Sequence, residues 1–189
     1  MNDHRDELVF IQRRLERFYG LESAPDVLDF VRIGDAGSRE TLLLRESDGE
    51  LEVALILPPA RSAKTDDLWF QLVEGVSHFV YIAERARTGL PATRLELELQ
   101  AEVDKFVLLT LRRAPAVSSG TVLERLYQSV SFLHPPGSEA GDRYRLANDL
   151  AARFVARLLA RGAWSRVERE LRRFYRSGQA EKIRLASAA

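Results

Sequence analysis

The chain has 189 residues, of which 46% are hydrophobic and 30% are charged, and its formal net charge at neutral pH is zero. These values are typical of a globular protein with a sizeable core. The sequence has no cysteine, which excludes a disulfide framework and a thiolate metal site. We expect one domain, residues 1–189, made of a helix with a β-meander (1–64), two central helices (65–113) and basic C-terminal helices (114–189).

The cellular location is inferred from what the sequence lacks. No apolar run approaches the roughly 20 residues of a membrane span. The N-terminal segment MNDHRDEL is charged and lacks the apolar core of a signal peptide. Together with the absence of cysteine, these features predict a cytoplasmic protein with no membrane partner.

The N-terminal part is predicted to form one helix and a small sheet. Apolar residues at helical spacing predict a helix over 3–19 that ends at Gly20. The predicted strands are 27–33, 41–45 and 51–57. Asp48-Gly49 between the last two is a good hairpin signal. We therefore expect an α+β fold, mostly helical, in which a three-stranded antiparallel sheet packs on a central buried helix.

Two central helices are predicted at 65–88 and 91–113. The second has apolar residues around most of its circumference at about 100° per residue, which is typical of a buried helix. Thr93 and Glu96 have the spacing of a capping box at its start. Leucines alternate with polar residues in its first half, so a strand is the alternative there, but good helix formers favour the helix.

A polar stripe interrupts this apolar helix. Glu98, Glu102 and Lys105 fall within one narrow sector, at i, i+4 and i+7. Lys105 is placed to pair with Glu102, whereas Glu98 and Glu102 face each other as like charges. If the stripe is buried, this arrangement needs a compensating arginine, metal ion or shared proton.

The C-terminal part is predicted to consist of helices at 121–133, 142–161 and 164–176, followed by a frayed tail. Residues 1–110 contain 13 Lys+Arg and 21 Asp+Glu, whereas residues 111–189 contain 15 and 7. The favoured interpretation of this asymmetry is attraction between the two halves or within an oligomer. The other interpretation is a nucleic-acid surface formed by Arg-rich helices. The arginines in question are Arg153, Arg157, Arg161, Arg166, Arg169, Arg172, Arg173 and Arg176.

The most specific candidate for a functional site is a carboxylate–histidine metal site. Glu74 and His78 are one turn apart on the first central helix, and Glu98 and Glu102 repeat that spacing on the second. Such ligands suit Mn, Fe, Mg or Zn. In the alternative, which we favour, no cofactor is bound and Glu98 and Glu102 pair with arginines. Glu74 and His78 then hydrogen-bond each other or Arg85.

No complete catalytic set can be assembled from the sequence, and no catalytic residue is assigned. The chain contains neither a GxSxG nucleophile motif nor a glycine-rich phosphate loop. We therefore expect a non-catalytic interaction or regulatory domain whose partner is a protein or a second copy of itself. The alternatives are a hydrolase-like metal-dependent enzyme and a nucleic-acid-binding protein.

Overall fold

The structure is a computed structural model that describes residues 4–22, 24–35, 39–47, 50–59, 65–112, 119–160 and 163–188. Within these ranges seven α-helices and one three-stranded sheet form, which confirms a mostly helical α+β fold. The chain divides into two compact units, Met1–Leu90 and Pro91–Ala189. The boundary separates the two predicted central helices, and the single domain stays a prediction.

The first unit begins with helix α1, Arg5–Tyr19. Gly20 ends it in the left-handed conformation with φ 63°, which glycine adopts without a Cβ clash. A 3₁₀ turn, Val27–Asp29, follows, and the side chain of Asp26 accepts a hydrogen bond of 3.0 Å from Leu28 N. This turn occupies the predicted start of the first strand, because the Asp26 carboxylate offers the backbone a local partner.

The strands form a mixed sheet in the order β1-β3-β2. They are β1 Val31–Ile33, β2 Thr41–Ser47 and β3 Glu50–Leu57. β2 and β3 pair antiparallel, as the predicted hairpin requires, although Asp48-Gly49 itself lies outside the described residues. β1 pairs parallel to β3, so the predicted antiparallel meander is wrong. The apolar β3 takes the centre, because Leu55 and Leu57 are then fully buried and both edges of β3 are paired.

Helix α2, Thr65–Arg87, packs against both β2 and β3 and along α1. The helix approaches the sheet closely at Gly75, where an added Cβ would lie 2.8 Å from Leu55 Cδ1. Trp69 Nε1 donates a hydrogen bond of 2.7 Å to Glu7 on α1. Within the first unit, the helix on which the sheet packs is therefore α2.

Helices are the only regular secondary structure among the described residues of the second unit. Its elements are α3 Arg94–Arg112, α4 Ser119–Leu123, a π-helical turn Glu124–Gln128, α5 Glu139–Ala160, α6 Trp164–Arg176 and α7 Gln179–Ser187. α3 and α5 pack along each other, and α7 packs on both of them. This arrangement places the buried face of α3 against α5 and α7.

Helix α3 confirms the helical interpretation of the central stretch. Thr93 N donates to Glu96 Oε2 at 2.9 Å, and Glu96 N donates to Thr93 Oγ1 at 3.2 Å. These two bonds form the predicted capping box. The strand alternative for the first half of this stretch is wrong, because the helix is continuous from Arg94.

Three predicted boundaries in the second unit need correction. The helix predicted at 121–133 has already ended at Gln128, because the apolar residues beyond it, Val130 and Leu133, are exposed rather than buried. α5 starts at Glu139 rather than at residue 142. Ser138 Oγ accepts a hydrogen bond from Gly141 N in its first turn. The tail predicted to fray contains α7, which is held by the burial of Leu185 and its neighbour Ala186.

Candidate functional site

The polar stripe of α3 lies in the interior rather than on a solvated face. Glu98 and Lys105 are 7% and 8% exposed, and Glu102 is half-buried. Burial of a charged group is unfavourable unless another group compensates it. The next question is therefore which groups compensate each charge of the stripe.

Glu98 contacts an arginine of α5. Arg143 Nε donates to Glu98 Oε1 at 3.4 Å, and the Arg143 side chain is largely buried. The same guanidinium reaches Glu139 at 3.4 Å and lies over the ring of Tyr144. The compensating arginine expected for a buried stripe is thus Arg143, which the sequence pattern did not single out.

Glu102 pairs with Lys105, as predicted, with 2.8 Å between Oε1 and Nζ. The backbone carbonyl of Glu102 also accepts a hydrogen bond of 3.1 Å from the hydroxyl of Tyr127 in the π-helical turn. Asn148 Nδ2 on α5 donates to the carbonyl of Tyr127 at 3.2 Å. Burial, and then the negative charges of Glu102 and Asp104, raise the pKa of Tyr127 well above its ordinary value. The phenol therefore stays protonated at neutral pH and acts as a donor.

A second group of polar residues, deeper in the unit, was not predicted. Lys182 of α7 is fully buried, and its ammonium donates a hydrogen bond to Gln100 Oε1 on α3. Gln100 Nε2 in turn donates to Asp104 Oδ1 at 2.8 Å. The Lys182 ammonium also lies 4.3 Å from the centre of the Phe174 ring. Gln100 and Asp104 are polar residues at i and i+4 on an otherwise apolar helix, and this pattern could have indicated them. No pattern in the sequence indicated that Lys182 is buried.

The polar network of the second unit suits a packing role better than proton transfer. Within the second unit, Glu98 and Glu102 each contact a cation, and Asp104 accepts from an amide. Ionised and hydrogen-bonded groups arranged in this way fix the alignment of neighbouring helices. The network therefore explains how charges are accommodated inside the unit without assigning a reaction to them.

The other half of the predicted metal site lies in the first unit. Glu74 is half-buried and His78 is buried, one turn apart on α2. Glu98 and Glu102 lie one turn apart on α3. The helical spacing expected for both pairs is thus present, and their combination into one metal site stays a prediction.

A pocket in the first unit was not anticipated from the sequence. It has a volume of about 380 Å³ and is lined by residues of α2, β3 and the segment 21–30. Its wall is mostly apolar and includes Phe30, Val53, Phe79, Ile82 and Ala83. The rings of Phe30 and Phe79 are 5.0 Å apart. Pockets of this size and composition commonly receive apolar groups.

An ionic cluster lies at one side of this pocket. Arg87 contacts Glu84 at 2.9 Å and Glu22 at 3.3 Å, and all three residues line the pocket. The cluster joins the end of α2 to the segment after α1. Because one cation faces two carboxylates, this side of the pocket favours a neutral or cationic occupant over an anionic one.

The arginines of the predicted nucleic-acid surface are divided between two helices. On α5, Arg153 is exposed and Arg157 donates a hydrogen bond of 2.8 Å to the carbonyl of Ala188. Arg161 lies outside the described residues. The arginines of α6 are mostly exposed, apart from Arg172, which is half-buried and pairs with Glu168.

Comparison with known protein families, with curated proteins and with solved structures finds no match for this chain. None of the described helices combines the length and apolar character needed to cross a bilayer.

Proposed function

We propose that this chain is a non-catalytic interaction domain whose first unit receives an apolar side chain of a protein partner. The observation that carries the proposal is the pocket of about 380 Å³ beside α2. It is preformed and mostly apolar, and it is lined by aromatic rings. Partners commonly anchor themselves by inserting an aromatic or aliphatic residue into a pocket of this kind.

The ionic cluster beside the pocket supports a protein partner. Arg87 with Glu84 and Glu22 provides donors and acceptors at the edge of an apolar wall. An apolar centre with a polar rim is the usual composition of a protein interface. A partner with a basic residue next to its apolar anchor would fit this rim, because acidic groups outnumber the basic one.

The contacts of the polar stripe of α3 support a structural role for its charged residues. Glu98 contacts Arg143, and Glu102 contacts Lys105. Both contacts lie within the second unit, and they are the arginine and lysine pairs expected if the carboxylates bind no metal. These contacts favour a binding function over catalysis.

The partner is either another protein or a second copy of this chain. The first unit has 11 Lys+Arg and 17 Asp+Glu, whereas the second has 17 and 11, so the two units carry opposite net charges. Opposite charges on one chain favour self-association between copies as well as capture of a charged partner. The lack of cysteine suits the reducing cytoplasm, which is the location we propose.

The pocket is tested with a neutral apolar dye, N-phenyl-1-naphthylamine, which becomes brighter in apolar surroundings. We expect saturable binding with one site per chain. Ala83→Phe places a ring in the pocket and should abolish this binding. Leu43→Ser is the matched control, because Leu43 is 52% exposed and pairs with Ala54 on the sheet face opposite to Val53.

The interaction itself is tested by light scattering over a range of concentrations and by pull-down with the same three proteins. A partner, or a dimer, that is retained by Leu43→Ser and lost by Ala83→Phe supports the proposal. A strict monomer that captures nothing contradicts it. A partner bound equally by all three proteins shows that the pocket is not the binding site.

A further inference from the structure

Four arginines form a stripe along the exposed side of α6. Arg166, Arg169, Arg173 and Arg176 are all exposed, and their spacing is i, i+3, i+7 and i+10. At about 100° per residue these positions fall within a sector of about 80°. We call these four residues the arginine stripe.

The dimensions of the arginine stripe match a phosphate backbone. At a rise of about 1.5 Å per residue, the stripe is about 15 Å long. Double-stranded DNA carries one negative charge per roughly 1.7 Å of axis, so about nine phosphates lie within that length. Guanidinium groups bind phosphate oxygens in a bidentate manner, which makes arginine well suited to this contact.

The acidic residues near the stripe, which include Glu170 at i+4 from Arg166, offset its charge only in part. Glu181 of α7 accepts hydrogen bonds from Arg184 at 2.6 Å and from Arg173 at 2.9 Å, so one carboxylate is shared by two cations. Glu168 lies on another side of α6 and pairs with Arg172. Residues 164–187 contain seven Lys+Arg and three Asp+Glu, which leaves a net charge of +4.

The apolar side of α6 disfavours an anionic membrane as the partner. Val167, Leu171 and Phe174 are buried in the second unit and cannot insert into a bilayer. Trp164, the one large hydrophobic residue of α6 that is exposed, lies about 160° around the helix from Arg166. Membrane-binding helices need an apolar face beside the basic one, and α6 has none available.

The same residues favour a duplex over a single strand. Proteins that bind single strands commonly stack bases on exposed aromatic rings. Phe174 and Tyr175 are buried, and Trp164 is on the far side of α6 from the arginine stripe. The stripe therefore offers charge and hydrogen-bond donors to a backbone but no ring for a base.

We propose that the arginine stripe of α6 binds the phosphate backbone of double-stranded nucleic acid without sequence preference. The stripe belongs to the second unit, whereas the pocket belongs to the first. The proposal therefore does not rest on the proposed protein interaction.

The test is fluorescence anisotropy with the full chain and labelled 30-base-pair duplexes of two unrelated sequences. We expect equal affinities for both, with a Kd on the order of 10⁻⁵ M at low salt. With three or four phosphate contacts, the slope of log K against log salt should be about −3 to −4. Raising the salt from 50 to 200 mM should then weaken binding about 100-fold.

Matched variants identify the surface. Arg166→Gln/Arg169→Gln should reduce the magnitude of the slope by about 2 and weaken binding at least tenfold at low salt. Arg13→Gln/Arg17→Gln removes the same charge from exposed positions on α1 and should leave the slope unchanged. Circular dichroism should give the same spectrum for all three proteins, since the substituted side chains are exposed.

Three results would overturn the proposal. The first is an absence of binding up to about 100 μM protein at 50 mM salt, roughly ten times the expected Kd, and the second is a slope near zero. The third is an equal loss of affinity in the two double variants, which would show that only net charge matters. Binding to phosphatidylserine vesicles without binding to the duplex would assign the stripe to an anionic membrane surface instead.

Discussion

Lys182 on α7 and Gln100 on α3 are 82 residues apart in the chain and share a hydrogen bond in the core of the second unit. Lys182 is fully buried. Gln100 also donates a hydrogen bond to Asp104, which is 1% exposed. Because the C-terminal helix supplies the cation, the polar interior of α3 depends on α7.

Replacing Lys182 by Met keeps the apolar stem and removes the positive charge. We expect the free energy of unfolding to fall by about 3–5 kcal/mol, as is usual when one partner of a buried charged network is removed. Urea unfolding followed by circular dichroism measures the change.

Arg184→Met is the control for this variant, because Arg184 is an exposed cation on the same helix. It should unfold close to the wild-type midpoint. The double variant Lys182→Met/Asp104→Asn should recover part of the loss, since the buried negative charge is also removed. If Lys182→Met were as stable as Arg184→Met, the network would contribute nothing to folding.

The raised pKa of Tyr127 predicts a loss of stability at alkaline pH. Burial favours the protonated phenol in the folded state, so the native protein holds this proton at pH values where the unfolded chain releases it. The contribution is complete below the unfolded pKa near 10 and is lost as the pH rises towards the folded pKa. The free energy of unfolding should therefore decline above about pH 10.

Tyr127→Phe separates this effect from other alkaline titrations. At pH 8 the free energy of unfolding of the variant should be about 1 kcal/mol lower than that of the wild type, because the hydrogen bond to the Glu102 carbonyl is removed. Between pH 8 and 11 its stability should decline less steeply than that of the wild type in the same urea experiment. Equal slopes for both proteins would contradict the assignment to Tyr127.

Gly75 is expected to be intolerant of a side chain. Alanine normally favours a helix over glycine by about 1 kcal/mol, but here its Cβ would lie 2.8 Å from Leu55 Cδ1. Because Leu55 is fully buried, we expect overpacking to outweigh the helical gain and Gly75→Ala to destabilise the protein by about 1–2 kcal/mol. Thermal unfolding measures the difference.

A double-mutant cycle with Leu55→Ala provides the control for Gly75. In that background the clashing methyl groups are absent, so Gly75→Ala should be neutral or stabilising. A loss of the same size in both backgrounds would show that the cost does not come from contact with Leu55.

Elemental analysis of the purified, untagged protein tests the metal hypothesis for Glu74, His78, Glu98 and Glu102. Because the proposed function needs no metal, we expect substoichiometric Mn, Fe, Mg and Zn, also after incubation with each ion. Near-stoichiometric metal that is lost in Glu98→Gln/Glu102→Gln would instead favour the metal-dependent enzyme. Glu168→Gln/Glu170→Gln removes two carboxylates from α6 and serves as the control.

The contacts of the candidate-site residues could be predicted from the sequence only in part. The pairing of Lys105 with Glu102 was predictable, because residues three apart on a helix are neighbours. An arginine partner for Glu98 was predictable, but its identity as Arg143 was not, since the two residues are 45 apart in the chain. The pocket beside α2 had no sequence signal, because it is the space left between three separate elements.

Local sequence patterns specify most of the helices, the capping box at Thr93 and the pairing of β2 with β3. These features depend on residues within one or two turns of each other, or on a short turn between neighbouring strands, so periodicity and capping residues are enough. The position of β3 between β1 and β2 and the burial of Lys182 follow from tertiary packing instead. Both depend on contacts between residues far apart in the chain, where the burial of a whole strand or side chain outweighs any local preference.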